Sequence, residues 1–392
     1  MFNDTNKPVV YILALEPSGD IIGSSLIHSL RSKTNGMIQI AGVGGDQMQN
    51  SGLNSLFDPK ELSILGIIEV FPKILTIVRR FFDTINDINN TSPDIFVSID
   101  SWGFTGLIHK YLRKKNKSIK RVRYVAPQVW AWRPGRAKEL SNLVDHLLTL
   151  FSFEVNIFEQ YGLKTTFVGH PTIYSLNNKN ILSDFRKVNS ISKNDLVISL
   201  LPGSRISEVK SLGPILLQTI INISKTYDNL NIIIPTVTNL REEIYTLFKD
   251  IKLPLFVITD YEEKINAMKS SNIAIAASGS VSLELAMLNI PHIITYKVNP
   301  ISAILFKYLS LTKYVNIINY LSNDEIIPEF LQDKCNCKDL YEASIKLIQD
   351  KAIQDNQIKK FIELNERFLN DDTNPSDIAA NAILSEYRLR KN

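Results

Sequence analysis

The chain has 392 residues, 44% of them hydrophobic, enough for two ordinary domains with sizeable cores. Its 44 basic and 40 acidic residues leave a net charge of only +4, which argues against the strongly basic footprint of a nucleic-acid binder. The two cysteines, Cys335 and Cys337, stand one residue apart with no histidine nearby, which points to a reducing compartment and no structural metal.

The polar N-terminus lacks the apolar core of a signal peptide, and no stretch of about twenty residues is free of charge and proline, so no membrane span is expected. Val9 to Leu15 reads as the first strand. It runs into Glu16-Pro17-Ser18-Gly19-Asp20 and then a helix. This turn is not the glycine-rich dinucleotide fingerprint. It presents a carboxylate, Glu16, and a hydroxyl, Ser18, at the carboxyl end of a strand, where open parallel sheets bind ligands. Asp20 and Ser18 also suit a helix cap.

Ile38 to Val43 is a second strand, closed by Gly44-Gly45. Leu62 to Phe82 is strongly apolar, with Pro72 placed for the first turn of a helix. Ile74, Leu75, Ile77, Val78, Phe81 and Phe82 exceed one buried stripe. They form either a core helix or, with Phe71, a patch that dips into a bilayer interface, flanked by Arg79 and Arg80. Asp94 to Ile99 is a strand with Asp100 at its carboxyl end. Lys110 to Arg123 holds eight basic residues in fourteen, either a solvated helix end and loop or a surface facing anionic lipid. Arg123 to Val125 leads into a loop carrying Trp130 and Trp132, which are core lids or part of an acceptor side. His146 to Leu150 and Thr166 to Val168 complete a doubly wound α/β domain over residues 1–175.

Residues 176–194 are polar and read as a linker. The same strand–helix grammar restarts at Leu196 and spans 195–355, and residues 356–392 read as closing helices. The apolar run Leu196–Leu201 ends in Pro202-Gly203-Ser204-Arg205, a turn expected to offer free backbone N–H groups and a fixed positive charge to a phosphate. A second small-residue turn, Ser278-Gly279-Ser280, follows the strand at Ile273, with Glu284 one turn into the next helix. The pair of turns suits a nucleoside diphosphate: Arg205 takes pyrophosphate charge and Glu284 takes ribose hydroxyls.

Glu16 and Asp100 are expected to face this site across a deep interdomain cleft. A carboxylate opposite a diphosphate leaving group suits a general base acting on an acceptor hydroxyl, in glycosyl transfer with inversion. No Asp-x-Asp cluster is seen, so Arg205 and helix dipoles would stabilise the leaving group without metal or cofactor. A UDP-sugar epimerase on the same fold and a non-catalytic lipid or nucleotide-sugar binder are the alternatives.

Several stretches together resemble the lipid-A-disaccharide synthase family: Glu16 to Asp20, Tyr124 to Arg133, Val168 to Pro171, Leu200 to Arg205, Ala277 to Leu285, Tyr314 to Asn319 and Glu325 to Gln332. They run in order over nearly the whole chain. The resemblance implies a GT-B type inverting glycosyltransferase. Its substrates would be UDP-2,3-diacylglucosamine and 2,3-diacylglucosamine 1-phosphate (lipid X), its products lipid A disaccharide 1-phosphate and UDP. It implies work on the cytoplasmic face of the Gram-negative inner membrane, and a homodimer with exchanged C-terminal segments. It makes Asp100 the base and Arg205 the diphosphate ligand, and puts Gly203, Ser204, Ser278, Gly279, Ser280, Glu284 and Asn319 on the nucleotide side. Ser101-Trp102-Gly103-Phe104 stands where the family more often has Ala-Pro-Asp-Phe, leaving Asp100 without a second carboxylate beside it. Leu15 precedes Glu16 where glycine is usual.

Overall fold

The computed structural model describes residues 7–62, 73–130, 133–178, 184–277, 279–297, 312–368 and 373–391. Two compact units divide the chain: Met1–Tyr174 with Arg367–Asn392, and Ser175–Glu366. Each is built on one parallel six-stranded sheet with helices.

The first sheet comprises β1 (Val9–Ala14), β2 (Gln39–Val43), β3 (Ile95–Ile99), β4 (Lys120–Tyr124), β5 (His146–Thr149) and β6 (Lys164–Phe167), in the order β2-β1-β3-β4-β5-β6. Its central strands are apolar on both sides because helices cover both faces, so Val10 to Leu13 and Ile95 to Val97 are wholly buried. The second sheet comprises β7 (Leu196–Leu201), β8 (Leu230–Pro235), β9 (Leu255–Ile258), β10 (Ile273–Ala277), β11 (His292–Tyr296) and β12 (Glu329–Leu331), in the order β12-β11-β10-β7-β8-β9. Ile198, Leu200, Leu212 and Leu216 fill one side of it. Val197, Ile233 and Ile258 fill the other with Phe185 and Ile191.

Phe185 and Ile191 come from the stretch expected to be a linker. The short helix Phe185–Val188 is capped by Asp184, and Arg186 ties it to the Ser270 carbonyl at 2.9 Å and the Asp195 carbonyl at 3.0 Å. Two apolar side chains and one arginine among polar neighbours suffice to dock this segment; residues 179–183 lie outside the described ones.

The chain's last helix, Pro375–Lys391, packs in the first unit against the helix Pro17–Lys33. Its Glu386 is buried and accepts from Lys164 Nζ at 2.6 Å, with His146 Nδ1 at 3.1 Å. Lys33 pairs with Asp377 at 3.1 Å.

Candidate active site

In each sheet the strand order reverses at one point, and loops leave that point in opposite directions, opening a crevice at the carboxyl ends of two adjacent strands. In the first unit those strands are β1 and β3. Glu16 follows β1, and Asp100 follows β3.

Glu16 is half-buried at the N-cap of the helix Pro17–Lys33, and its side chain makes no cap hydrogen bond. Ser18 is exposed, and its Oγ lies 3.4 Å from Asp100 Oδ2. Asp100 and Ser101 have φ of 52° and 43°, two consecutive left-handed residues that cost energy in a non-glycine chain and turn the carboxylate out of the strand. Asp100 Oδ1 accepts from the Ser101 N–H at 2.8 Å. Beneath it sits Arg123, fully buried in β4, whose Nη1 donates to the Asp100 carbonyl at 3.2 Å and to Thr105 Oγ1 at 3.4 Å. Its guanidinium lies 5.0 Å from the Trp102 ring centre. Burial lowers the Arg123 pKa to about 10, against the pull of Asp100.

Asp20 is not part of this edge. It is buried and accepts from the backbone N–H of Gln47 at 2.9 Å and Met48 at 3.0 Å, capping the helix Asp46–Asn50 rather than its own. Burial raises its pKa, and those N–H groups hold it down. Trp130 is half-buried and edge-on to Phe153 at 5.9 Å, and Phe153 stacks on Phe151 at 5.8 Å. Glu154 beside them is buried, which raises its carboxyl to about 8 although the Phe151 backbone, Trp130 and the Leu150 backbone hydrogen-bond to it. Trp132 lies outside the described residues.

In the second unit the reversal falls between β7 and β10, and both small-residue turns stand there. Gly203 has φ of 116°, and a Cβ on it would fall 2.2 Å from Glu208 Oε2, so only glycine fits. The helix Ile206–Ser224 follows the turn directly, with Arg205 as its N-cap. The expectation that the turn offers free N–H groups fails at Ser204. Glu208 Oε2 accepts from the Ser204 N–H at 3.0 Å, and Glu208 Oε1 from Arg205 Nη1 at 3.2 Å. A carboxylate at the third helical position reaches back to the chain entering the helix and satisfies one of its donors. Ile206 and Ser207, the first residues of that helix, keep amides that have no partner within it.

Gly279, with φ of 150°, has open space where a Cβ would project, and it precedes the helix Ser280–Met287. Ser278 and the side chain of Ser280 lie outside the described residues. Glu284 on that helix is half-buried, and its charge acts on Lys264 and Tyr261 of the helix Tyr261–Lys269. Burial raises its carboxyl to about 7, with Lys264 pulling the other way. Lys264 Nζ also donates to the Thr236 carbonyl at 3.3 Å, just beyond β8.

Asn319 departs from its expected place facing a nucleotide. It is fully buried. Its amide nitrogen donates to the Ile327 carbonyl at 2.7 Å and to Glu329 Oε1 at 2.9 Å, and its oxygen accepts from the Ile327 N–H at 2.9 Å. It fastens the segment between the helix Ile317–Ser322 and β12.

Of the apolar stretch, residues 63–72 lie outside the described ones, Phe71 and Pro72 among them. The helix Ile74–Thr91 buries Ile85 and Ile88 and exposes Leu75 (84%) and Phe82 (58%). Phe81 is edge-on to Phe82 at 5.5 Å and to Tyr111 at 6.0 Å, joining this helix to Trp102–Lys115. Arg79 and Arg80, expected to flank the patch, both pair with Glu61, at 3.3 Å and 2.5 Å. The basic run also splits. Arg113, Lys114 and Lys115 close the helix, whereas Arg121 and Arg123 are buried in β4, Arg121 against Asp145 at 2.6 Å.

Among the described residues no group of three or more His, Cys, Asp or Glu has the arrangement to hold a metal ion, and no helix is long and apolar enough to cross a membrane.

A family model described as lipid-A-disaccharide synthetase matches residues 10–379. A lipid-A-disaccharide synthase of Paramagnetospirillum magneticum is 38% identical over 385 residues, covering 98% of both chains. One from Rickettsia prowazekii is 33% identical and covers 96% of this chain and 99% of its own. In fold, the chain is similar to UDP-GlcNAc 2-epimerase of Neisseria meningitidis bound to UDP-GlcNAc, with TM-score 0.63 at 14% identity over 98% of this chain and 100% of the other. It is similar too to MurG of Acinetobacter baumannii, with TM-score 0.54 at 14% identity over 97% and 99%.

Proposed function

The chain belongs to the lipid-A-disaccharide synthetase family, and on that premise we propose that it condenses UDP-2,3-diacylglucosamine with 2,3-diacylglucosamine 1-phosphate, releasing UDP. It is a glycosyltransferase of lipid A biosynthesis. The observation that carries the residue assignments is the coincidence of each candidate group with a point of strand-order reversal: Glu16 and Asp100 in one sheet, the Gly203 and Gly279 turns in the other.

Asp100 takes the proton from the 6-hydroxyl of the acceptor as that oxygen attacks the anomeric carbon of the donor. The bond from that carbon to the diphosphate breaks, UDP leaves with the electron pair, and the sugar inverts to a β-1,6 link. Arg123 supports this base through the Asp100 carbonyl and fixes the strained strand end. Ser18, within hydrogen-bond reach of Asp100, orients either the carboxylate or the incoming hydroxyl. Glu16 lines the same edge. Arg205, the Gly203 and Gly279 turns with Ser204, Ser278 and Ser280, and the N-terminal amides of the two following helices receive the growing charge on UDP. Glu284 takes the ribose hydroxyls.

The acyl chains make a lipid surface the natural workplace. Leu75 and Phe82 supply exposed apolar area there, and Arg113, Lys114 and Lys115 supply charge for anionic headgroups. The cytoplasmic face of the inner membrane and a homodimer with exchanged C-terminal segments belong to the same proposal.

The test is turnover of purified variants that remain folded. Asp100→Ala removes a general base and is expected to lower kcat by about 10²- to 10⁴-fold. Arg205→Ala is expected to lower kcat/KM by about 10²-fold or more. Near-wild-type turnover by Asp100→Ala would remove Asp100 as the base.

A further inference from the structure

We propose that Glu208 is a positioning residue for donor binding: its carboxylate holds the Ser204 amide with one oxygen and the Arg205 guanidinium with the other, fixing both for the diphosphate. The inference rests on the assignment of Arg205 to the diphosphate.

The geometry is specific to this side chain. Glu208 is buried at the third position of the helix Ile206–Ser224. Oε2 accepts from the Ser204 N–H at 3.0 Å and Oε1 from Arg205 Nη1 at 3.2 Å. Gly203 gives way to it, since a Cβ there would overlap both Oε2 and the Glu208 Cβ. A helix cap explains the first contact. It does not explain the second, which commits a buried carboxylate to one edge of a guanidinium whose side chain is 33% exposed. The contact restrains the guanidinium beside the carboxyl end of β7, and less freedom is lost when it meets a phosphate.

A third group reports on the same pair. Tyr296 ends β11, one residue beyond Thr295, which pairs with Ala277, so it stands level with the second turn. Burial and the Glu208 charge raise the pKa of its phenol and Arg205 lowers it, so its titration responds to both members of the pair.

Glu208→Gln separates the two contacts. The amide oxygen still accepts from the Ser204 N–H, so the cap survives, but the amide nitrogen cannot accept from Arg205. The full chain is titrated with UDP by calorimetry as wild type, Glu208→Gln, Arg205→Ala and the double variant, with thermal unfolding alongside. The expected result is a Glu208→Gln melting temperature within about 2 °C of wild type and a UDP Kd weakened about tenfold. The double variant binds no more weakly than Arg205→Ala alone, because both changes remove one coupled interaction. Wild-type UDP affinity in Glu208→Gln, or effects that add in the double variant, overturns the role of Glu208. Wild-type UDP affinity in Arg205→Ala overturns instead the diphosphate assignment beneath it. If Glu208→Gln melts early, Glu208→Asp replaces it. That variant keeps the charge but cannot span both partners, and wild-type UDP affinity in it likewise refutes the positioning role.

Discussion

Glu284 is a carboxyl kept where a carboxylate is disfavoured, and replacing it with glutamine should stabilise the protein at neutral and alkaline pH while weakening nucleotide binding. Burial raises its pKa from an ordinary 4.5 to about 7, with only Lys264 opposing. Below pH 4.5 the group is protonated in both folded and unfolded chains and costs nothing. Between 4.5 and about 7 the unfolded chain ionises first, so stability falls as pH rises, and above 7 the full penalty is present. At about 1.4 kcal/mol per pH unit, that interval amounts to about 3 kcal/mol. Glu284→Gln removes this titration, less what Lys264 loses with its neighbour. For a unit of this size the gain corresponds to a melting temperature higher by about 5 °C or more at pH 8, shrinking toward zero at pH 4.5. Thermal unfolding of both proteins across that range measures it. A difference that stays flat with pH, or a glutamine variant less stable at pH 8, refutes the reasoning. At pH 8, where Glu284 is ionised, the same variant should bind UDP about tenfold more weakly, since a charged acceptor of the ribose hydroxyls is gone. Stability would then rise as function falls, the pattern of a strained functional group.

Glu386 carries the opposite sign. Burial pushes its carboxyl up, but hydrogen bonds and charge from His146 and Lys164 outweigh this and lower it from 4.5 to about 2. Its stabilisation, about 3 kcal/mol, is present above pH 4.5 and lost as pH falls toward 2. Glu386→Gln should lower the melting temperature at pH 7 and flatten acid unfolding between those values, and proteolysis should release the helix Pro375–Lys391 early; unchanged acid unfolding would contradict it. Gly203→Ala forces a Cβ onto the Glu208 carboxylate at a positive φ, at a cost of about 1–3 kcal/mol, and calorimetry should show UDP binding weakened by tenfold or more. The double substitution Leu75→Ser and Phe82→Ser removes exposed apolar surface worth about 2 kcal/mol or more of lipid contact. Flotation with anionic vesicles should fall at least tenfold while turnover on detergent-dispersed substrates persists; undiminished flotation would move the lipid surface elsewhere.

Much of this was legible in the sequence because parallel strands buried on both faces read as plain apolar runs, and Asp100, Gly203 and Gly279 end such runs. The residues that hold them were not. Arg123 supports Asp100 only because β3 and β4 pair Ile99 with Tyr124, a register that no local pattern encodes. In the sequence, Arg123 was simply the end of a basic run, and that run proved to be two unrelated groups of residues. The charge of Lys264 acts on Glu284 from twenty positions away in the sequence, which no local pattern shows. Glu208 lies three residues beyond the turn at Arg205, a spacing that fits a plain helix cap equally well. Asn319 shows the converse. Its neighbours resemble a family motif, yet the side chain turns inward, because buried backbone groups at Ile327 need partners.

The central claim is the transfer itself. The most direct measurement is mass spectrometry of the lipid product after the purified protein is incubated with UDP-2,3-diacylglucosamine and 2,3-diacylglucosamine 1-phosphate. The account predicts a tetraacylated disaccharide monophosphate, with UDP released in equal amount and no product when either lipid is omitted. Binding of UDP without any disaccharide, or conversion of UDP-GlcNAc alone to an epimer, would contradict it.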